Sequence, residues 1–392
     1  MKILMMFGFV TMASVASLQA DEFPDGATDL AATDETGWNG DIPAAAEVKA
    51  SATLKASSDV TFTELKFCPN NWTSGSYTLD LTPETSGADR KITITANKTW
   101  TGLLLYDAYS GTKDEVLVKG GLIDFGGTAG AVIGGNWHKY GNGASLTFDG
   151  TVITNVARVM AGETAQGTPC GITLKGGARA YMKENDYTTL FCGWASNCFF
   201  TVAEKSSIAF TKALYMLNDE GWNELQVNVL DGSTMTMGST VYWGETSASR
   251  TLFSGEDTKV SVGGSFYYCW KSGIESDLSV EKGAVLSISR NLLAGSGTYQ
   301  GRNRVTVREG GTLEAGGIYI GSGDSKIGSP IDLVVSNGTV RTPWMVKLGS
   351  FGSSDSRILV TGPEAVYDLA HQDAYLSLFD SGKRLSRLIP VF

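Results

Sequence analysis

Histidine is nearly missing from this chain of 392 residues, since only His138 and His371 occur and they lie far apart. We therefore do not expect a shared histidine triad or a histidine metal site. Charged residues make up 18% of the chain and leave a formal net charge of −10. A nucleic-acid partner is not expected either, because it would require clustered lysine and arginine.

Cysteine is also scarce, and its five residues show no CxxC or Cys/His metal spacing. Long apolar runs are missing except at the N-terminus. Residues 1–20 begin with Lys2, continue with a short apolar core and end with small residues at Ala20, which predicts a secretory signal peptide. Because no apolar run reaches spanning length, we expect a secreted or cell-surface chain without a membrane span after signal removal.

Glycine, in contrast, is abundant, with 48 residues. Residues 304–323, RVTVREGGTLEAGGIYIGSG, contain three short alternating apolar runs separated by glycines. Alternation predicts strands with one buried face, and glycine permits tight corners between them. The second apolar residue of the first run serves as a marker that recurs along the chain, at Ile94, Val118, Phe148, Leu174, Val202, Val229, Phe253, Val280, Val307, Val335 and Val360.

The markers are 24 to 30 residues apart, so one structural unit of about 27 residues is repeated. A unit this small cannot bury its own apolar face and must stack on its neighbours. We predict an all-β fold, a right-handed single-stranded parallel β-helix of about eleven coils with three strands each. Residues 21–60 are predicted as an acidic leader or N-terminal cap, 61–91 as an irregular first coil, 92–380 as the β-helix, and 381–392 as a C-terminal cap or truncated coil.

Two cysteines occupy the same position on adjacent predicted coils. Cys170 and Cys198 each lie four residues before a marker, Leu174 and Val202 respectively. Stacked strands place such residues about 5 Å apart. Because an exported chain permits disulfides, we predict a Cys170–Cys198 disulfide.

The two outward columns of side chains differ in character. In the first run most outward residues are Thr, Ser or Asn, which suits a solvated face. In the third run the outward column is largely apolar, and it reads Val132, Met160, Phe191, Met216, Tyr242, Leu293, Tyr319 and Lys347. This column is either covered by loops or the leader, or it is an exposed stripe that binds a protein or a glycan.

Phe191, Tyr242 and Tyr319 are the candidate binding residues of this column. Trp137 and Trp194 follow the third run and are candidate platforms for sugar rings. Adjacent carboxylates such as Asp114 and Glu115 are expected in loops as solvated charges. We expect no catalytic residues, no metal site and no cofactor.

Two units quoted in full support a comparison with known proteins. Residues 277–297, DLSVEKGAVLSISRNLLAGSG, and 332–352, DLVVSNGTVRTPWMVKLGSFG, resemble repeats of secreted bacterial parallel β-helix proteins. These include autotransporter passenger domains and pectin-lyase-like solenoids. The resemblance implies the fold far more than an activity.

Two functions follow as expectations. The first is an exported, non-catalytic surface adhesin or structural scaffold. The alternative is a carbohydrate-active enzyme, a polysaccharide lyase or glycoside hydrolase, with a groove on the β-helix. A column of acidic and basic side chains on one face would favour the enzyme.

Overall fold

The computed structural model describes a parallel β-solenoid. It covers residues 21–22, 45–48, 52–56, 58–67, 75–83, 89–95, 102–105, 114–126, 130–133, 143–161, 169–182, 187–192, 197–218, 224–244, 248–269, 276–295, 303–320, 330–348, 356–368, 375–378 and 387–390. Over these ranges the chain forms strands, turns and bends and no helix, and the strands pair in parallel. The predicted all-β parallel fold is confirmed, and the signal predicted at 1–20 lies outside the described residues.

The first runs of the repeat form a sheet of their own, here called the first face. It contains thirteen strands: Ala52–Lys55, Ser76–Asp80, Asp114–Lys119, Ala144–Asp149, Cys170–Lys175, Cys198–Val202, Glu224–Leu230, Ala248–Ser254, Asp277–Glu281, Asn303–Arg308, Ile331–Ser336, Arg357–Thr361 and Arg387–Pro390. Each marker from Val118 to Val360 pairs with the next marker, so the predicted file of apolar residues is confirmed.

The first marker is wrong, because Ile94 does not belong to the first face. It pairs with Phe62, and its strand pairs with Leu122–Asp124, which places it in the second run. The first-face partner of Val118 is Leu79, and the partner of Leu79 is Leu54. With these two strands and Arg387–Pro390, the ladder has thirteen strands rather than the eleven predicted.

The second and third runs together form a 24-stranded sheet, because Val285–Ala294 and Thr312–Ile320 run through the corner between them. The second face contains the first halves of these two strands and Val60–Phe62, Lys91–Ile94, Leu122–Asp124, Val152–Val156, Arg179–Met182, Ser207–Phe210, Thr234–Met237, Lys259–Val262, Thr339–Arg341 and Val366–Asp368. The third face contains their second halves and Asp21–Glu22, Ala45–Val48, Glu64–Phe67, Gly102–Leu105, Gly130–Ile133, Arg158–Ala161, Tyr187–Cys192, Ala213–Asn218, Val241–Trp243, Phe266–Tyr268, Met345–Leu348 and Tyr375–Leu378.

The corner between the first and second faces has a backbone conformation that recurs in several coils. Two consecutive residues take positive φ, as in Lys282–Gly283 at 54° and 81° and Glu309–Gly310 at 50° and 76°. A side chain at positive φ is disfavoured, and glycine avoids that penalty. This explains why a glycine so often follows the first run in the sequence.

Inward side chains from the three faces meet in one continuous core. In a single coil, Val280, Leu286 and Leu292 come from the first, second and third faces and are all buried. A buried aliphatic side chain contributes about 1.5–3 kcal/mol relative to an exposed one. Since residues alternate along each strand, every inward residue leaves its neighbour on the outer surface.

Candidate functional site

Three tyrosines form a stacked column on the outer surface of the third face. Tyr215, Tyr242 and Tyr267 are register partners on three successive coils. The ring centroids of Tyr215 and Tyr242 are 4.7 Å apart with planes 10° from parallel, and those of Tyr242 and Tyr267 are 4.8 Å apart at 13°. The ring spacing therefore follows the spacing of neighbouring strands. We call these three residues the tyrosine column.

The column continues toward the C-terminus. Leu293 pairs with Tyr267, Tyr319 with Leu293, and Lys347 with Tyr319. The Lys347 ammonium lies 5.4 Å from the centroid of the Tyr319 ring, which is cation–π geometry. We call the six residues from Tyr215 to Lys347 in this column the aromatic stripe.

All six side chains of the aromatic stripe are half-buried. Burial first, and then the neighbouring Tyr267, raise the pKa of Tyr242 above 10.0, so its phenol is neutral at physiological pH. Further toward the N-terminus in the third face, Leu104 is 7% exposed. The aromatic stripe is thus partly exposed, whereas Leu104 is buried.

The stacking determines what the tyrosine column offers to a partner. Both faces of the Tyr242 ring are occupied by Tyr215 and Tyr267, so it presents its edge and its hydroxyl group. Aromatic edges carry partial positive charge and the hydroxyl donates a hydrogen bond. A sugar ring cannot stack on the face of Tyr242, but it can contact the row of edges and hydroxyls.

The predicted binding residues meet different outcomes. Tyr242 and Tyr319 lie in the aromatic stripe. The backbone of Phe191 pairs with Met160 and Leu217 on neighbouring coils of the same face, and its side chain lies outside the described residues. Trp137 and Trp194 also lie outside them. The binding roles of all five residues remain predictions.

Sequence reasoning missed two members of the column. It assigned Met216 outward, but Met216 is fully buried and its neighbour Tyr215 is the register partner of Tyr242. It passed over Tyr267 because this coil ends in Cys269 where a glycine was expected. The alternation in Phe266–Tyr268, with both ends buried, was the signal that could have found Tyr267.

The two cysteines predicted as a pair are direct register partners. Cys170 and Cys198 lie on neighbouring first-face strands and are both buried. Neighbouring strands are about 4.8 Å apart, which is within the usual Cα separation of a disulfide. Both are thiols in the structure. The disulfide stays a prediction that non-reducing peptide mapping decides.

Cys269 has an unusual backbone and environment. Its φ is +57°, and it follows Tyr268 at the position where Gly244 and Gly295 follow the register partners Trp243 and Ala294. Burial raises the pKa of the Cys269 thiol to about 12, although hydrogen bonds with Ser276 and Tyr268 act in the opposite direction. The raised pKa keeps the thiol protonated at neutral pH, and the thiolate is the reactive form.

A buried polar ladder runs beside Cys269. The Trp243 indole N–H donates to the Ser249 hydroxyl at 3.0 Å, and the Ser249 backbone N–H donates to the Ser276 hydroxyl at 2.9 Å. The Ser276 backbone N–H donates to Asn303 Oδ1 at 3.0 Å. These side chains accept backbone N–H groups of the preceding coil, so their role is structural.

Carboxylates also serve the architecture. Asp114 was expected in a loop, but it begins a first-face strand, is fully buried and accepts the Gly75 backbone N–H at 2.7 Å. That expectation was wrong, because the Asp114 carboxylate accepts the backbone N–H of the residue just before the preceding first-face strand.

Within the described residues no group of three His, Cys, Asp or Glu side chains could hold a metal ion. In the same part of the chain, no helix has the length and apolarity needed to cross a membrane.

One column of charges lies on the outer surface of the second face. Glu314, Arg341 and Asp368 are register partners on three successive coils. Arg341 Nη1 lies 3.3 Å from Glu314 Oε1, and its Nε lies 3.8 Å from Asp368 Oδ2. All three side chains are exposed, so the column is a solvent-accessible acidic–basic–acidic row.

Comparison with known proteins adds no further assignment: no protein-family model matches the chain, and neither a curated protein nor a solved structure matches it. The class of the protein, a parallel β-solenoid, therefore rests on its strand pairing.

Proposed function

We propose that this chain is an exported, non-catalytic surface scaffold or adhesin that uses the aromatic stripe as its contact surface. The observation that carries the proposal is the register of Tyr215, Tyr242, Tyr267 and Tyr319 on one outer surface. An apolar stripe that stays partly exposed over several coils is a feature of interaction surfaces. The predicted signal peptide supports an exported location.

The shape of the stripe supports a linear or surface-bound partner. It is one residue wide and follows the solenoid axis for five strand steps, or about 24 Å. Such an area is small compared with the roughly 800 Å² that each partner buries in a stable protein complex. Hydroxyl groups and ring edges in a row suit an extended glycan or a peptide segment lying along the axis.

The experiment replaces Tyr242, Tyr267 and Tyr319 with serine and measures two properties. One is retention of the chain on insoluble cellulose, chitin and pectin, and the other is self-association by sedimentation velocity. We expect the triple variant to lose whichever of these the wild-type chain shows. A matched control replaces Thr173, Thr201 and Thr306, which form an outward column on the first face, with serine.

Two results would contradict the contact role. One is unchanged retention and self-association in the tyrosine variant. The other is a wild-type chain that binds none of these materials and stays monomeric, which would leave only the scaffold part of the proposal.

The second candidate is a carbohydrate-active enzyme, and the column of Glu314, Arg341 and Asp368 favours it. Glycoside hydrolysis uses two carboxylates at a defined separation, and these two lie two strand steps, or about 10 Å, apart at their Cα atoms. Release of reducing or unsaturated ends from acidic polysaccharides, lost in Glu314→Gln and Asp368→Asn, would establish this alternative. If no ends are released, the column is an ion-pair ladder of the scaffold.

A further inference from the structure

We propose that the tyrosine column is a site of oxidative cross-linking, at which a peroxidase and hydrogen peroxide join tyrosines on neighbouring coils. The new bond links the ortho carbons of Tyr242 and Tyr267, or those of Tyr215 and Tyr242. The inference does not depend on the contact function proposed above, because it follows from the stacking itself.

The geometry holds the reacting rings together before any oxidant arrives. The ring pairs are 4.7 and 4.8 Å apart and nearly parallel, so their ortho carbons have similar separations. Backbone pairing fixes the Cα positions of both tyrosines in each stacked pair. Holding two reactants in place turns a bimolecular encounter into an intramolecular step with a high effective concentration. A ring tilt of the half-buried side chains then brings two ortho carbons into bonding distance.

The reaction balances with hydrogen peroxide as the oxidant. Each of two tyrosines loses one electron and one proton and becomes a phenoxyl radical. Hydrogen peroxide accepts the two electrons and two protons at the peroxidase and leaves as two water molecules. The two radicals combine at their ortho carbons, and each ortho hydrogen then moves to its own ring oxygen, which restores two phenols. The cross-linked product has lost two hydrogen atoms in total.

Other tyrosines of the chain distinguish cross-linking by stacking from cross-linking by exposure alone. Tyr181 is 48% exposed, more than any tyrosine of the column, but its register partners are Thr154 and Ala209. Tyr319 lies in the same stripe, but its register partners are Leu293 and Lys347. Tyr268 adjoins Tyr267 in sequence but points inward and is fully buried. Exposure alone would favour Tyr181, whereas stacking favours the tyrosine column.

The cross-link would also increase the stability of the solenoid. It would add a covalent bond between coils that are otherwise held together by non-covalent contacts, such as backbone pairing and the Trp243–Ser249 hydrogen bond. A covalent bond across the 25 residues from Tyr242 to Tyr267 restricts the unfolded chain and thereby stabilises the fold, so the cross-linked monomer should unfold at a higher temperature. An exported scaffold would thereby become more resistant to unfolding after it has folded.

The experiment treats the full chain at low concentration with a peroxidase and hydrogen peroxide, isolates the monomer, and maps tryptic peptides. Residues 213–250 contain Tyr215 and Tyr242 in one tryptic peptide, and residues 260–271 contain Tyr267. A Tyr242–Tyr267 bond joins these two peptides, with a mass two hydrogen atoms below their sum. Dityrosine fluorescence in the monomer fraction provides the second readout.

Three variants decide the assignment. Tyr242→Phe removes the shared member of both stacked pairs, so we expect intramolecular dityrosine to fall to background. Tyr319→Phe and Tyr181→Phe should leave its yield unchanged. The inference is overturned if Tyr242→Phe retains the signal, if the bond maps to Tyr181, or if dityrosine appears only in covalent dimers. Because phenylalanine preserves ring and packing, circular dichroism should confirm that every variant is folded.

Discussion

Arg357 and Asp332 form a two-pronged ion pair between neighbouring coils of the first face. Arg357 Nε lies 2.9 Å from Asp332 Oδ1, and Nη2 lies 2.7 Å from Oδ2. The Asp332 side chain is 2% exposed. In the same column of this face, Arg250 and Asp277 are paired at 2.6 Å, but their side chains are 49% and 39% exposed. The two pairs have the same chemistry at two depths.

This difference in depth predicts a difference in stability. Arg357→Met removes both hydrogen bonds of the guanidinium group to the buried Asp332 carboxylate, which costs about 3 kcal/mol. Arg250→Met removes two ion pairs of an exposed side chain, to Asp277 and Glu224, and each costs about 0–1 kcal/mol. Guanidinium unfolding of the two variants measures the comparison. Equal shifts would show that the depth of the Asp332 pair has no energetic consequence.

The buried polar ladder predicts a second stability difference. Ser276→Ala leaves the Ser249 backbone N–H without its acceptor and should destabilise the chain by about 1–3 kcal/mol. Ser279→Ala, on the outer side of the strand that Ser276 immediately precedes, should change stability by no more than about 0.5 kcal/mol. Thermal unfolding of both variants checks this. If Ser279→Ala costs as much as Ser276→Ala, the ladder is not supporting the coils.

Burial of Cys269 predicts low reactivity and a dependence of stability on alkaline pH. With a pKa raised from 9.0 to about 12, the thiol should resist iodoacetamide at pH 8 until denaturant is added. The folded chain disfavours the thiolate, so this contribution to stability is complete below pH 9 and is lost as the pH rises toward about 12. Cys269→Ala should lack that part of the alkaline loss. Rapid labelling of peptide 260–271 in the native chain would contradict the assignment.

The contacts of Asp124 predict that the stability of the fold decreases at acidic pH. Burial acts to raise its pKa, but hydrogen bonds from Asn155, Lys91 and the Gly126 backbone together lower it below 3.8. The lowered pKa contributes stability above pH 3.8 that is lost as the pH falls through the folded value. Lys91→Met removes the 3.0 Å ion pair to Asp124 and should raise the midpoint pH of acid unfolding. Lys259→Met, in the same outward column, is the control and should leave it unchanged, so equal shifts in both variants would refute the role of Lys91.

Most of the first face could be predicted from the sequence, since the apolar file from Val118 to Val360 is required by core burial. The start of the solenoid could not. Ile92 and Ile94 alternate as a first run does, and alternation reports burial without telling which face a strand joins. The step of 39 residues from Leu79 to its register partner Val118 also hides the period, because surface loops tolerate length at low cost.

The aromatic stripe was predicted only in part, for a local reason. A fixed offset from the corner residue, which is Asn218 in this coil and glycine in most others, assigned Met216 outward, whereas Tyr215 is the register partner of Tyr242. In the coil after that of Tyr242, Cys269 takes the positive φ that glycine takes elsewhere, so the glycine that marks the end of a third run is missing beside Tyr267. The stacking of the rings depends on register across three coils, which no single segment encodes. The ion pairs and the buried ladder depend on register in the same way.

The most direct test of the account measures distances along the first face. Thr147, Thr201 and Thr306 lie in one outward column, with two strand steps from Thr147 to Thr201 and four from Thr201 to Thr306. Spin labels on introduced cysteines should give separations near 19 Å for positions 201 and 306 and near 29 Å for positions 147 and 306, at about 4.8 Å per step. Double electron–electron resonance measures both. Two distances that do not differ by about two strand spacings would contradict the in-register stack on which the tyrosine column, the ion pairs and the buried ladder all depend.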